Sequence, residues 1–191
     1  MRRLDKPGYS LMELIVSISI MVTMTAVFLV NYNTHARSNK LVQAGNDLAS
    51  IYRLALNNGL GLVKYNNVVP AGGWGVHIST ISSNTSYVLF ADLNNNQQYN
   101  TGEGVTSYGG RTVNLPDGIV IQNDMFANNT LGNTPVQYAD VVFMAPHPTI
   151  YIETIPTHPN AEDLLIVFED ESSNFTKVIA INFLGLVDIV N

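Results

Sequence analysis

Apolar residues run almost unbroken from Leu14 to Val30, and the polar positions within that run are only the hydroxyls Ser17, Ser19, Thr23 and Thr25. A helix of this composition is apolar on nearly every face, as a segment surrounded by lipid or by other helices must be. At 1.5 Å per residue, about 17 residues lie at the short end for crossing a bilayer. Residues 9–12 extend the span to about 9–30, with little tilt, provided Glu13 is satisfied. The hydroxyls read as ordinary helix-packing residues rather than a channel lining.

Beyond Asn31 the pattern changes. Leu41, Ala44, Leu48, Ile51 and Ala55 recur at spacings of three and four, with Arg37, Lys40, Asp47 and Arg53 between them. One apolar stripe of this kind predicts a helix lying against a domain. Asn57-Asn58-Gly59 and Gly61 signal its end.

After Gly61 the period shortens to that of strands. Candidate strands are 75–79, 87–91, 111–114, 119–122, 141–144, 149–153, 164–169, 177–182 and 185–190. Gly72-Gly73, Asp117-Gly118 and Asn128-Asn129 read as turns between them, and the last two strands as a hairpin at the end of the sheet. The expected fold is α+β: a long N-terminal helix packed on an antiparallel β-sheet domain. The chain divides into 1–8, a leader; 9–57, the helix; and 58–191, one β-rich globular domain.

The N-terminal end carries the most specific chemistry. Arg2, Arg3 and Lys6 form a basic head that the positive-inside tendency keeps cytoplasmic, so the chain beyond the apolar run is exported. Glu13 stands just inside the membrane-length segment, where an unpaired charge costs a few kcal/mol or more. The small residue Gly8 precedes the apolar run, whereas a conventional secretory signal has its cleavage site after it. A plain signal-anchor helix is one reading of these residues.

Gly8, an aromatic at Tyr9, Ser10-Leu11-Met12, Glu13 and the apolar helix together resemble the class III signal of type IV pilins and type II secretion pseudopilins. The resemblance implies cleavage after Gly8 and N-methylation of Tyr9 by a membrane prepilin peptidase and methyltransferase. It further implies that Glu13 neutralises the new amine of a neighbouring subunit during filament assembly on an inner-membrane platform. Phenylalanine is usual at the position of Tyr9, and Pro7 moves the basic residue back to Lys6; both are departures. Within one chain, an amine at Tyr9 and Glu13 would share a helix face at the i,i+4 spacing. A less sharp similarity, through Gly73-Trp74-Gly75-Val76, the 87–94 segment, Val113-Asn114-Leu115-Pro116 and residues 181–187, is to minor pseudopilins of the H type and T-type fimbrial pilins. In those proteins a long helix packs on two small sheets.

Charge and composition narrow the alternatives. The formal charge of −6 falls to −8 once residues 1–8 are removed. An acidic domain in which Lys177 alone follows Arg111 among basic residues argues against nucleic acid as a partner. With no cysteine, disulfides, thiolate metal sites and cysteine nucleophiles are excluded. Neither a Gly-x-Ser-x-Gly elbow, a zinc helix, a Walker loop nor a dinucleotide fingerprint occurs, so the chain does not read as an enzyme.

One segment, 92–103, has the spacing of a Ca²⁺ loop: Asp92, Asn94, Asn96, Gln98, Asn100 and Glu103 present oxygen donors, ending in a carboxylate at position 12. Position 6 is Gln97 rather than glycine, the flanks read as strands, and only Asp92 and Glu103 are charged, so affinity would be weak. The alternative is a polar turn whose side chains cap their own backbone. His147 and His158, in a proline-rich stretch with Glu153 and Glu162 nearby, read as loop histidines. Residues 169–174 read as a solvated hairpin tip, and Trp74 as a core aromatic.

Overall fold

The computed structural model describes residues 8–105, 112–123, 125–129, 132–146, 149–155, 163–173, 175–182 and 186–190. It is an α+β fold: a helix α1 (Leu11–Leu60) followed, among the described residues, by eleven strands in two antiparallel sheets. The chain separates into two compact units, Met1–Asn39 and Lys40–Asn191.

In the first unit, α1 begins with a reciprocal cap. The Glu13 backbone N–H donates to Ser10 Oγ and the Ser10 N–H donates to Glu13 Oε2, each at 3.2 Å. This is a capping box, which satisfies two amides that the first helical turn leaves without intrahelical partners. It sets the helix start two residues after Tyr9, where the pattern placed it. Segment Leu11–Leu29 has a mean hydropathy of 2.1 and is long and apolar enough to cross a membrane; none of it is buried. Its four hydroxyls all turn back onto the helix: Ser17 onto Glu13 O, Ser19 onto Ile15 O, Thr23 onto Ser19 O and Thr25 onto Met21 O, at 2.7 to 3.0 Å. Each donor is thereby satisfied without water or a neighbouring helix.

In the second unit, the remaining turns of α1 bury Leu41, Ala44, Leu48, Tyr52 and Ala55 in a single core cluster with both sheets. Ile51, expected in that stripe, is only half-buried, while Tyr52 takes the inner position and meets Phe143 edge-on at 6.4 Å. Arg53, Asp47 and Lys40 stay exposed, as their spacing predicts. The helix also runs three residues past Asn57. Gly59 does not end it; a Cβ there would lie 2.5 Å from Phe143 O, so the glycine lets the last turn approach the sheet.

The first sheet has the order β3-β2-β1-β7-β8, built from β1 (Gly73–Ser79), β2 (Ser83–Asp92), β3 (Val113–Asn114), β7 (Tyr138–Met144) and β8 (Thr149–Ile155). Its inner face presents Trp74, Val76, Ile78, Tyr87, Leu89, Ala139, Val141 and Phe143 to the core. The second sheet has the order β11-β10-β9-β5-β6, from β5 (Met125–Asn129), β6 (Gly132–Val136), β9 (Asp163–Asp170), β10 (Thr176–Asn182) and β11 (Val187–Val190). Strand β4 (Ile119–Ile121) also pairs with β9. The closing β10–β11 hairpin lies at the edge of this sheet, as expected.

Two assignments are corrected. Strands β5 and β6 occupy a stretch rich in Asn, Gly and Pro, which strand propensity disfavours, and Asn128 and Asn129 are ladder residues paired with Asn133 and Gly132 rather than a turn. Pro135 is tolerated there because β6 is an edge strand. At the β9–β10 tip, Glu171 and Ser172 are exposed as expected, but Glu169 and Asp170 belong to β9, and Asp170 is buried and accepts the Ser172 N–H at 2.8 Å.

Candidate functional site

Two places in the molecule carry the predicted chemistry, one in each unit. At the N-terminal end, Gly8 has open space around it, and Tyr9 is 87% exposed. Among the described residues nothing packs against Gly8. Glu13 is exposed, and its Oε2 serves as the acceptor for the Ser10 N–H. The carboxylate is thus held beside the first helical turn, where the unpaired N–H groups and the helix dipole favour negative charge.

The second place is the 92–103 loop between β2 and the bridge of Gly104 to Phe90. Asp92 is fully buried, and its carboxylate accepts N–H donation from Asn95 (2.7 Å), Gln97 (2.8 Å) and Asn96 (3.3 Å). Glu103, also buried, closes the other end: Oε1 accepts the Leu93 N–H at 3.1 Å and Oε2 the Asn100 N–H at 2.8 Å. Asn94 Oδ1 and Asn96 Oδ1 accept the N–H groups of Asn96 and Gln98, both at 3.0 Å. The amide nitrogens of Asn94 and Asn96 converge on Asn100 Oδ1 at 2.8 and 3.1 Å. Five of the six expected ligands are therefore gathered by side chain, while Gln98 enters through its backbone N–H.

The backbone follows a cation-loop path in one respect. Asn95 and Gln97, at relative positions 4 and 6, have φ of 62° and 59°, so Gln97 adopts the left-handed turn that glycine usually supplies. For a non-glycine residue that conformation costs roughly 1–3 kcal/mol. A Ca²⁺ ion would find two carboxylates and three amide oxygens, the hard donors it requires. The Asn94 and Asn96 amides would first have to release Asn100, toward which both now point their nitrogens. Among the described residues, no cluster of three His, Asp or Glu side chains is placed to hold a metal.

What fixes this loop to the domain was not evident from its own residues. Asp140, buried in the middle of β7, accepts the Tyr99 N–H at 2.8 Å on Oδ2 and also the Tyr138 hydroxyl on that oxygen. Its Oδ1 lies 2.8 Å from His77 Nδ1. With the carboxylate ionised, Nδ1 carries the shared proton. The Tyr99 ring sits 4.7 Å from the His77 ring and 5.6 Å from Phe90. Burial, then the hydrogen bond to Asp140, pushes the Tyr138 phenol well above its ordinary range, so it stays protonated and donating. Cross-strand register explains the meeting, since His77 pairs with Asp140 between β1 and β7. A carboxylate in the middle of the apolar run Ala139 to Phe143 was the available sequence signal.

Gly72 belongs to the same construction. A Cβ on it would lie 1.8 Å from Asp92 Oδ2, so the glycine pair before Trp74 makes room for the loop's anchoring carboxylate. Trp74 is a core aromatic: it is buried, its Nε1–H donates to Val63 O at 3.0 Å, and it meets Tyr65 edge-on at 6.2 Å. Of the remaining candidates, His147, His158 and Glu162 lie outside the described residues.

No family model, curated protein or solved structure matches the chain.

Proposed function

We propose that the chain is a minor pilin or pseudopilin, a structural subunit of a type IV pilus or type II secretion filament rather than an enzyme. It is processed after Gly8, N-methylated at Tyr9 and held in the inner membrane by 9–30, with residues 58–191 exported. The carrying observation is the Leu11–Leu29 segment, apolar but for Glu13 and four hydroxyls and without any buried residue, which starts just beyond an exposed glycine. Such a surface needs lipid first and other helices after assembly, which is the life cycle of a filament subunit drawn out of a membrane. Its proposed partners are the prepilin peptidase and methyltransferase, the assembly platform and the helices of neighbouring subunits.

The capping box sharpens the test of Glu13. A glutamine at this position keeps the hydrogen bond to the Ser10 N–H and removes the charge, whereas alanine removes both. In this reading, Glu13→Gln and Glu13→Ala both insert and are cleaved, and both fail to enter filaments. Normal incorporation of Glu13→Gln, measured in sheared filament fractions, would leave Glu13 a capping residue only.

A second reading, a membrane-anchored binding module, is favoured by the left-handed Asn95 and Gln97 in the 92–103 loop. In it the loop binds Ca²⁺ weakly through Asp92, Asn94, Asn96, Asn100 and Glu103. Calorimetry with millimolar Ca²⁺ tests it, and the absence of saturable heat would reject it.

A further inference from the structure

The end of α1 contains a conflict between backbone and side chain. The helix closes with the Leu62 N–H on Gly59 O at 3.2 Å and the Val63 N–H on Asn58 O at 3.0 Å. These are the two bonds of a Schellman cap, which requires a left-handed residue and nearly always takes glycine or asparagine there. Here that residue is Leu62, at φ 51° and 57% exposed. Gly61, directly before it, is not in the left-handed region. Four residues later the chain needs two more left-handed residues for the tight turn between Tyr65 and Val68, and there it uses Asn66 and Asn67. The conformationally suitable residue type is thus present at two sites and missing at the third, where an exposed leucine bears the strain.

The surroundings of Leu62 are apolar. Leu60, Val63, Val68 and Val69 are all exposed in part, Val68 to 60%. Leu62 and Val69 line a cavity of about 220 Å³ with Pro70, Trp74 and Met144, room for one aromatic side chain. The Tyr65 hydroxyl, bonded to Gly104 O at 3.1 Å, ties the turn to the domain. Lys64 is the one charge between residues 60 and 73.

A complementary surface lies at the other end of the same unit. The β9–β10 hairpin tip carries exposed Glu171 and Phe175, the latter 45% exposed. It lies against the turn at 116–118, through the Glu171 N–H on Gly118 O, and that turn receives Lys40 Nζ on Asp117 O at 3.1 Å. Lys40 and Leu60 are twenty helical residues apart, on the order of 30 Å along α1. We propose that Leu62 and its apolar neighbours receive Phe175 of a second copy of this chain, with Glu171 of that copy facing Lys64. Because donor and acceptor surfaces differ and lie at opposite ends of the unit, the contact is head-to-tail and propagates instead of closing into a dimer.

The inference rests on the filament reading, and the two are separable. The chain has no cysteine, so introduced thiols report only on the designed contact. Full-length Leu62→Cys and Phe175→Cys copies, coexpressed in membranes and oxidised, should form a mixed disulfide dimer, while either alone should not, because the bond requires Cα atoms within about 7 Å. Absence of the mixed dimer, or equal dimerisation of Leu62→Cys alone, overturns the proposal. Leu62→Gly should leave the melting temperature unchanged or raised, yet cut the Lys64→Cys with Glu171→Cys cross-link, in which Phe175 is retained, about tenfold, as expected for loss of a central apolar contact. A lowered melting temperature, or an undiminished cross-link, also overturns it. Mass analysis of the same sample keeps the readings apart: a cross-link on chains with intact Met1 removes the filament reading alone, and processed chains without a cross-link remove the contact alone.

Discussion

Along α1, residues 11–29 and the stripe Leu41, Ala44, Leu48, Tyr52 and Ala55 carry side chains of comparable apolarity, yet the first set lies wholly on the surface and the second lies in the core. The difference is in what surrounds each on the chain itself. The second stripe is narrow, flanked by charges, and two β-sheets from the same chain cover it. The first is apolar on nearly all faces, and its hydroxyls and two of its first-turn amides are satisfied within the helix. A segment so complete in its own hydrogen bonds and so incomplete in its packing is built for an apolar environment supplied from outside. The helix therefore contains one half packed into the core of the domain and one half apolar enough to cross a membrane, which in the proposed reading places it.

The sharpest way to break this comparison is truncation. A chain starting at Lys40 should fold cooperatively, whereas one starting at residue 58 should not, because it loses Leu41, Leu48 and Tyr52 from the core. At roughly 1.5–3 kcal/mol for each buried side chain, that loss is comparable with the whole stability of a domain. Near-UV circular dichroism and thermal melting of the two fragments decide it; equal folding would mean that α1 is no part of the core. Next in size is Asp140→Ala, which strands the donors of Tyr99, Tyr138 and His77 and should cost about 3 kcal/mol in urea unfolding. Faster amide exchange should then appear in 92–103 and not in 11–29.

A smaller effect separates the units by pH. Burial raises the phenols of Tyr52 and Tyr87 well above their ordinary value of 10. In the unfolded chain they lose protons from about pH 10, while the folded chain keeps them, so stability is complete below pH 10 and falls as pH rises further. Each tyrosine adds a slope of about 1.4 kcal/mol per pH unit. Tyr52→Phe should flatten the alkaline limb by that amount and change stability at pH 7 by less than about 1 kcal/mol, since the Tyr52 hydroxyl has no hydrogen-bond partner among the described residues. Smallest of all is Ca²⁺: at a concentration equal to its Kd, binding at 92–103 would stabilise the second unit by about 0.4 kcal/mol. Melting with and without Ca²⁺ measures it, and the effect should vanish in Glu103→Gln.

Most of the architecture is legible in local pattern. The change from all-round apolarity to a three-four stripe marks the two halves of α1, and alternation marks the long strands. Strands β5 and β6 are illegible because their Asn, Gly and Pro residues oppose strand propensity; the pairing of β5 with β9 and of β6 with β5, and burial of Met125, Ala127 and Val136, hold them. Ser10 and Glu13 form a capping box that was readable in principle from Ser-x-x-Glu before an apolar run. The anchoring of 92–103 was not readable, since His77 and Asp140 are 63 residues apart and meet only through the register of β1 on β7. Gly59 shows the same limit: its sequence context signals a helix end, while its reason is the approach of Phe143.

The central claim is that the apolar half of α1 belongs to a processed filament subunit, and the mass of the mature protein tests it most directly. Isolated from cells with an active prepilin peptidase, the chain should begin at N-methylated Tyr9, without residues 1–8. An intact Met1 terminus in those cells would contradict the account.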